Sequence, residues 1–464
     1  MSFPTEFQLN AWAGPDITNQ GPVSKLLSRS FLAAPTPSRS RLLGPRPVNL
    51  DDWRNPDVGW GIVLPDDPDR KPADKAGIGL GDPEPLRALL TARGDGPVLR
   101  YAKDAPAGTL RRYYTDGNFS NVSLAAQYQG TGRDQIPRYL LICASPAQIP
   151  WSVQFEAQFS CFTGRLDLTG TALENYVTAA VSGWTWDHTS LDPKAMTLWS
   201  VIHSDQDITQ LLYNTVIAPL YAAIKEYQEY KPQLLMRDAA NAAGLTGALG
   251  TTHPAFVATA SHGATHPLSD AATMQGQLGL LVDKDYALLR PADLLAAWQP
   301  NGAIWYAHAC CSAGANARSV FSTFVPADGS LAKILNGVAA CGAMTAPLPT
   351  ALLGAARPLR AFIGHVEPTF DWTLRRPDTR QYMTMPIISA LFERLYGGMT
   401  LGHAMDECRR ASAALTAAFT TATMDFDAGV PDSGQLLFLQ LMARDWDSLV
   451  ILGDPAATLP CAVD

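Results

Sequence analysis

Phe256-Val257-Ala258-Thr259-Ala260-Ser261-His262-Gly263 and Ala303-Ile304-Trp305-Tyr306-Ala307-His308-Ala309-Cys310-Cys311-Ser312-Ala313-Gly314 decide the reading of this chain. Each is an apolar run of strand length followed by a chemically capable side chain. A short run that is apolar on both faces is the pattern of a strand buried in a mostly parallel sheet. Side chains at the ends of neighbouring strands emerge along one sheet edge. His262 and Cys310 are therefore expected to share one cleft. The thiolate is the attacking form of cysteine, and histidine accepts and donates protons near neutrality. An imidazole beside a thiol points to nucleophilic acyl transfer.

The neighbours fit that chemistry. Gly263 has no side chain to cover the ring and lets another backbone approach closely. Its N–H and that of the nucleophile are candidate donors to an oxyanion. Ser312, Ala313 and Gly314 form a small-residue turn that keeps the thiol accessible. A lone buried cysteine is ordinarily a small hydrophobe, so the joint placement carries the argument. Spacing does not by itself choose between Cys310 and Cys311. If the strand continued, the two would point in opposite directions. His308 would share a face with Cys310, whereas His253 and His266 read as loop or supporting residues.

Outward from these runs, strands and helices alternate. Strands are expected at 138–144, 195–203, 361–364 and 448–452, and helices at 85–92, 171–182, 207–230, 387–396 and 401–421. Alternation of this kind over some 300 residues indicates an α/β three-layer α/β/α sandwich on a mainly parallel central sheet of about six strands. A boundary is expected near Gln129-Gly130-Thr131-Gly132. Residues 1–130 then form an N-terminal extension of unassigned role, with turn-rich segments at 35–41 and 65–72 open to proteolysis.

Composition narrows the class. The 464 residues are 47% apolar, enough for a sizeable core, with 36 Gly and 35 Pro for many turns. A net charge of −8 without a charge block argues against a nucleic-acid surface. There is no basic, then apolar, leader and no uninterrupted apolar span of roughly 18–20 residues, so a membrane partner is not expected and a cytoplasmic location is. Seven cysteines without a CxxC argue for reduced thiols over a disulfide framework or a zinc site. His262 and His266 stand four apart, but Gly263 and Pro267 oppose a metal-binding helix and the glutamate of an HExxH site is absent. No GxxxxGK[ST] or strand-linked GxGxxG is present. No cofactor and no catalytic metal are expected.

A hydrophobic strand ending in His-Gly, followed by one ending in Ala-Cys, resembles the caspase-like cysteine peptidase clan. Within it the chain is most similar to bacterial proteins of the gingipain and CHAT kind. His308-Ala309-Cys310-Cys311-Ser312-Ala313-Gly314 matches the CHAT pattern, with His308 in place of the usual Ser. Leu452-Gly453-Asp454-Pro455 resembles the closing strand and turn. Tyr139–Pro150, running into Gln154-Phe155-Glu156, resembles the opening strand and loop of the gingipain-like branch. The resemblance covers about residues 135–460 and makes 131–464 a caspase-like peptidase domain. It implies a cysteine endopeptidase with Cys310 as nucleophile, His262 as base and Gly263 at the oxyanion. A polypeptide would be the substrate, with activation by a partner or by proteolysis. Many bacterial members of that clan act after activation, sometimes in defence or programmed cell death, and the resemblance implies such a setting here. A basic residue before the cut would call for a pocket carboxylate, with Asp270, Asp283, Asp285 and Asp371 as candidates. An acidic one would call for Arg290 or Arg318. Two other readings stay open: a catalytically degenerate caspase-like binding or scaffold protein, and another cysteine acyl-transfer enzyme. Structural calcium also stays open.

Overall fold

The computed structural model describes residues 4–24, 48–125, 128–184, 191–427 and 433–460. The turn-rich 35–41 segment and Cys461 lie outside the described residues. One twelve-stranded sheet organises the rest. From edge to edge it runs Lys231–Met236, Asp192–Ser200, Pro254–Ala260, Ile304–His308, Ala361–His365, Leu449–Gly453, Phe162–Arg165, Tyr139–Ile142, Trp60–Pro65, Val98–Tyr101, Thr109–Tyr113 and Phe119–Ser123. Eight of its eleven neighbouring pairs are parallel. Helices cover both faces, which gives the expected α/β/α sandwich.

The alternation along each strand shows why both faces are buried. Phe256, Ala258 and Ala260 enter one core with Ile304, Tyr306 and Ile363. Val257 enters the opposite core with Trp305, Ala307 and Phe362. Successive strand side chains point to opposite faces, so a strand covered twice needs apolar residues at every position. Ile208, Leu212, Leu335 and Leu391 close the first core from one side. Leu89, Leu173, Leu245 and Leu352 close the second from the other.

The sheet has twice the expected six strands. Phe119–Ser123 forms one edge with exposed polar positions, Thr109–Tyr113 lies beside it, and Lys231–Met236 at the other edge is mostly half-exposed, so neither edge carries an apolar run. Phe162–Arg165 hides a fully buried arginine in an interior strand. Its guanidinium donates to Gln154 Oε1 (3.0 Å) and to the Ala144 carbonyl (2.9 Å) and lies over the Trp151 ring. Strands on both sides of residue 130 belong to this one sheet, with Trp60–Pro65 pairing in parallel with Tyr139–Ile142. Asp454, in the final turn, ties the two stretches further. It accepts from Trp60 Nε1 (3.0 Å) and from Arg93 Nε (2.9 Å).

The helix expected at 207–230 runs from Ile208 to Lys225 with a wide π turn at Tyr213–Ile217. Pro219 cannot donate to the Thr215 carbonyl one turn earlier. The Thr384 hydroxyl donates to that carbonyl instead (2.6 Å). Among the described residues no helix is long and apolar enough to cross a membrane, and no group of three or more His, Cys, Asp or Glu is arranged to hold a metal ion. The six described cysteines are free and buried.

Candidate active site

Register sets the site. Pro254–Ala260 pairs in parallel with Ile304–His308, and Ala260 stands opposite His308. His262 and Cys310 thus each follow a paired residue by two positions, at the same carboxyl edge of adjacent strands. The second strand ends at His308, and Cys311 takes a left-handed φ of 56°. Strand alternation therefore does not extend to the two cysteines. Gly263 sits against the Cys310 backbone so closely that a Cβ there would fall on the Cys310 carbonyl oxygen. Glycine is the residue this approach permits.

His262 is buried and held at both ring nitrogens. Nε2 meets Asp207 Oδ2 (3.1 Å) and Nδ1 meets Asn10 Oδ1 (2.9 Å). Both partners are acceptors, so a ring with a proton on each nitrogen donates to both. Asp207 is also the N-cap of Ile208–Leu212, its Oδ1 accepting from Thr209 N (2.8 Å). Burial raises its carboxyl, but the His262 and Thr209 hydrogen bonds outweigh burial and hold it well below the usual carboxylate range. His203 stacks on His262 with ring centroids 5.2 Å apart and on Tyr286 at 4.2 Å. Burial first, then the neighbouring His262, pushes the His203 imidazole down to about 4.

The Cys310 thiol is fully buried. It accepts from the Thr369 N–H (3.1 Å), and the Asn10 N–H also favours its ionised form. Burial dominates and pushes the thiol well above its ordinary value, so in this arrangement it is a neutral S–H. No hydrogen bond joins Cys310 to His262; Asn10 contacts both. Cys311 is buried in the apolar core, and burial pushes its thiol well above its ordinary value too.

The remaining sequence candidates separate. His308 turns its ring onto the Tyr306 hydroxyl (2.7 Å) and beside His365, and burial pushes it down to about 3. Asp270 is exposed and caps Ala271–Gln275 through Thr273. Asp283 is buried and closes its own turn, accepting from the N–H groups of Asp285, Ala287 and Ala242. Asp371 faces the segment that carries Asn10 and accepts from the Gln8 N–H (3.0 Å). Burial pushes its carboxyl up to about 6 against the pull of backbone donors. Asn10, Asp207, His203 and Thr369 were not singled out from sequence. Asp207 carried a signal, a carboxylate just before a helix, but that signal reads equally as a cap alone.

A groove of about 740 Å³ is lined by Trp53, Arg54, Arg93 and Arg133 and touches neither His262 nor Cys310. The reason is steric. Residues 8–13 fill the space over the two strand ends.

No protein-family model and no curated protein matches the chain. Solved structures align with it only at low similarity. The separase–securin complex of Saccharomyces cerevisiae aligns at 11% identity and a TM-score of 0.33 over 73% of this chain. The chain spans only 16% of the length of that separase-complex chain. The complex of the Porphyromonas gingivalis RgpB pro- and mature domains aligns at 10% identity and a TM-score of 0.41, over 86% of this chain and 80% of that one. The Arg-specific cysteine proteinase gingipain R aligns at 12% identity and a TM-score of 0.38, over 87% and 78%.

Proposed function

We propose that the chain is a cysteine endopeptidase with Cys310 as nucleophile and His262 as its proton carrier. The observation that carries this reading is the anchoring of His262. Asp207 takes Nε2, which leaves Nδ1 turned toward the same residue, Asn10, that lies against the Cys310 thiol. A histidine oriented through one nitrogen with the other aimed into a cleft is the arrangement general acid–base work requires. The Gly263 N–H points at a peptide carbonyl, that of Asn10 (3.4 Å), where an oxyanion would develop.

In the proposed reaction the Cys310 sulfur attacks the carbonyl carbon of the substrate. Its proton has already passed to His262 Nδ1 before the substrate seats, so the attacking sulfur is a thiolate beside a charged ring, and the C–N bond breaks as His262 gives that proton to the leaving amine. Water, deprotonated by His262, then hydrolyses the thioester and restores the thiol. Asp207 is a positioning residue that keeps the ring in place. The buried thiol ionises readily only when residues 8–13 leave and water or substrate enters, so the described arrangement is a resting one.

The test is digestion of a peptide library by the intact chain and by Cys310→Ala, each also carrying Leu9→Asp to unseat residues 8–13. Product masses should appear with the thiol in place and be absent from the Cys310→Ala digest. Cleavage that persists without the thiol, or no cleavage by any form, overturns the reading.

A further inference from the structure

Residues 8–13 lie extended in a groove between the loop after Pro254–Ala260 and the loop after Ala361–His365. On one side Leu9 bridges Phe370 in antiparallel sense, the Gln8 N–H donates to Asp371, and the Asn10 N–H donates to the Thr369 carbonyl (3.0 Å). On the other side Ala11 and Trp12 pair in parallel with Gly263 and Ala264, and the Thr265 N–H donates to the Trp12 carbonyl (2.9 Å). Most of these contacts are to backbone, which any extended peptide offers. They read no side chain.

Asn10 is the residue that is read. It is fully buried and its carboxamide is matched at both ends. Nδ2 donates to the Ser261 carbonyl (2.9 Å) and approaches the His308 carbonyl (3.5 Å), while Oδ1 accepts from His262 (2.9 Å). Both carbonyls are buried: that of Ser261 lies one residue past the first strand, and that of His308, at the end of the second, also accepts from the Ser261 N–H (3.4 Å). An aspartate would set a carboxylate oxygen against them with no proton to share. A glutamine is one methylene too long for a closed pocket. An alanine would leave the Ser261 carbonyl and the His262 N–H without a partner, and such buried losses are what make polar pockets selective.

We infer that this groove binds an extended peptide with an asparagine in the place held by Asn10, and that residues 8–13 are its internal occupant. That the bond after this asparagine is the one cut rests on the peptidase reading; the binding itself does not. The occupant is firmly seated. Phe7, Leu9 and Ala11 are buried in the core face, and Trp12 packs on Tyr286 with centroids 4.4 Å apart. Yet residues 4–24 add no strand to the twelve-stranded sheet, so they can leave without breaking it.

The experiment uses the full chain carrying Leu9→Asp, which puts a carboxylate where Leu9 is fully buried and leaves the pocket untouched. Hydrogen exchange should rise at residues 6–13 and not in the sheet, and Cys310 should alkylate with iodoacetamide at least ~10-fold faster than in the unsubstituted chain. A labelled peptide Thr5-Glu6-Phe7-Gln8-Leu9-Asn10-Ala11-Trp12-Ala13 should bind the variant, and its Asp, Gln and Ala analogues at the Asn10 position should bind roughly 100-fold more weakly. Equal binding of the four peptides overturns the asparagine site, and alkylation unchanged despite exposure of residues 6–13 overturns the occupant. Should Leu9→Asp fail to fold, the same peptides are offered to Asn10→Leu, which retains Leu9. Asparagine-selective binding without cleavage refutes the peptidase reading alone. Cysteine-dependent cleavage with no preference for asparagine refutes this inference alone.

Discussion

Replacing Asp207 by Asn changes one atom of the contact that orients His262. Asp207 Oδ1 caps Thr209 and Oδ2 accepts from His262 Nε2 at 3.1 Å. The asparagine carbonyl oxygen can keep the cap, so the roughly 1 kcal/mol of a lost N-cap is not added. What is lost is a hydrogen bond to a carboxylate whose side chain is 16% exposed, so the usual 1.5–3 kcal/mol is reduced by solvent to about 1–2 kcal/mol. The Asn NH2 then faces Nε2 and favours the tautomer with its proton on Nδ1, the nitrogen that must accept the thiol proton. On a peptide substrate, in the Leu9→Asp background, kcat should fall about 100-fold or more. The pH dependence has a definite sign. The Asp207 carboxyl is depressed in the folded chain, so its contribution is complete above the unfolded value of about 3.9 and is lost as pH falls through the folded value. Urea unfolding should therefore show the full stability gap between wild type and Asp207→Asn at about pH 6, closing below about pH 4. Equal stability at about pH 6 together with undiminished kcat would refute the role given to Asp207.

Other outcomes follow from single contacts. Gly263→Ala should lower stability by about 1–3 kcal/mol and abolish cleavage, read by thermal melts and peptide assay, because its Cβ falls on the Cys310 carbonyl. Asp454→Ala strands Arg93 and the buried Trp60 indole N–H and should cost about 3–5 kcal/mol in urea unfolding; a loss near zero would contradict the tie between the two stretches of sheet. Glu367 is buried among Asn316, Ser319 and Val320, and burial raises it to about 7. Its folded value exceeds the unfolded one of about 4.3, so stability should fall as pH rises between those values, and Glu367→Gln should flatten that fall. A chain cut at 130 removes the strands beside Tyr139–Ile142 and should aggregate when expressed; a monodisperse, cooperatively melting product would contradict this.

The central strands were legible because burial on both faces demands apolar residues at every position, as in Phe256–Ala260 and Ile304–Ala307. Gly263 was legible for a related reason: only a missing side chain allows the Cys310 backbone so near. The edge strand Phe119–Ser123 was hidden by its polar, largely exposed positions, and Thr109–Tyr113 beside it by two arginines in its middle. Phe162–Arg165 was hidden by a charged residue that reads as surface but is buried, its guanidinium matched by Gln154 and the Ala144 carbonyl. The partners of His262 were hidden most deeply. Asp207 is 55 residues away and Asn10 252, and nothing in the local pattern of either predicts the meeting.

The most direct measurement is a side-by-side peptide-library digest by the Leu9→Asp chain and the Leu9→Asp, Cys310→Ala chain, with every new terminus sequenced by mass spectrometry. The account predicts cuts after asparagine from the first and none from the second. Cuts that survive loss of the thiol, or an uncut library with both, would contradict it.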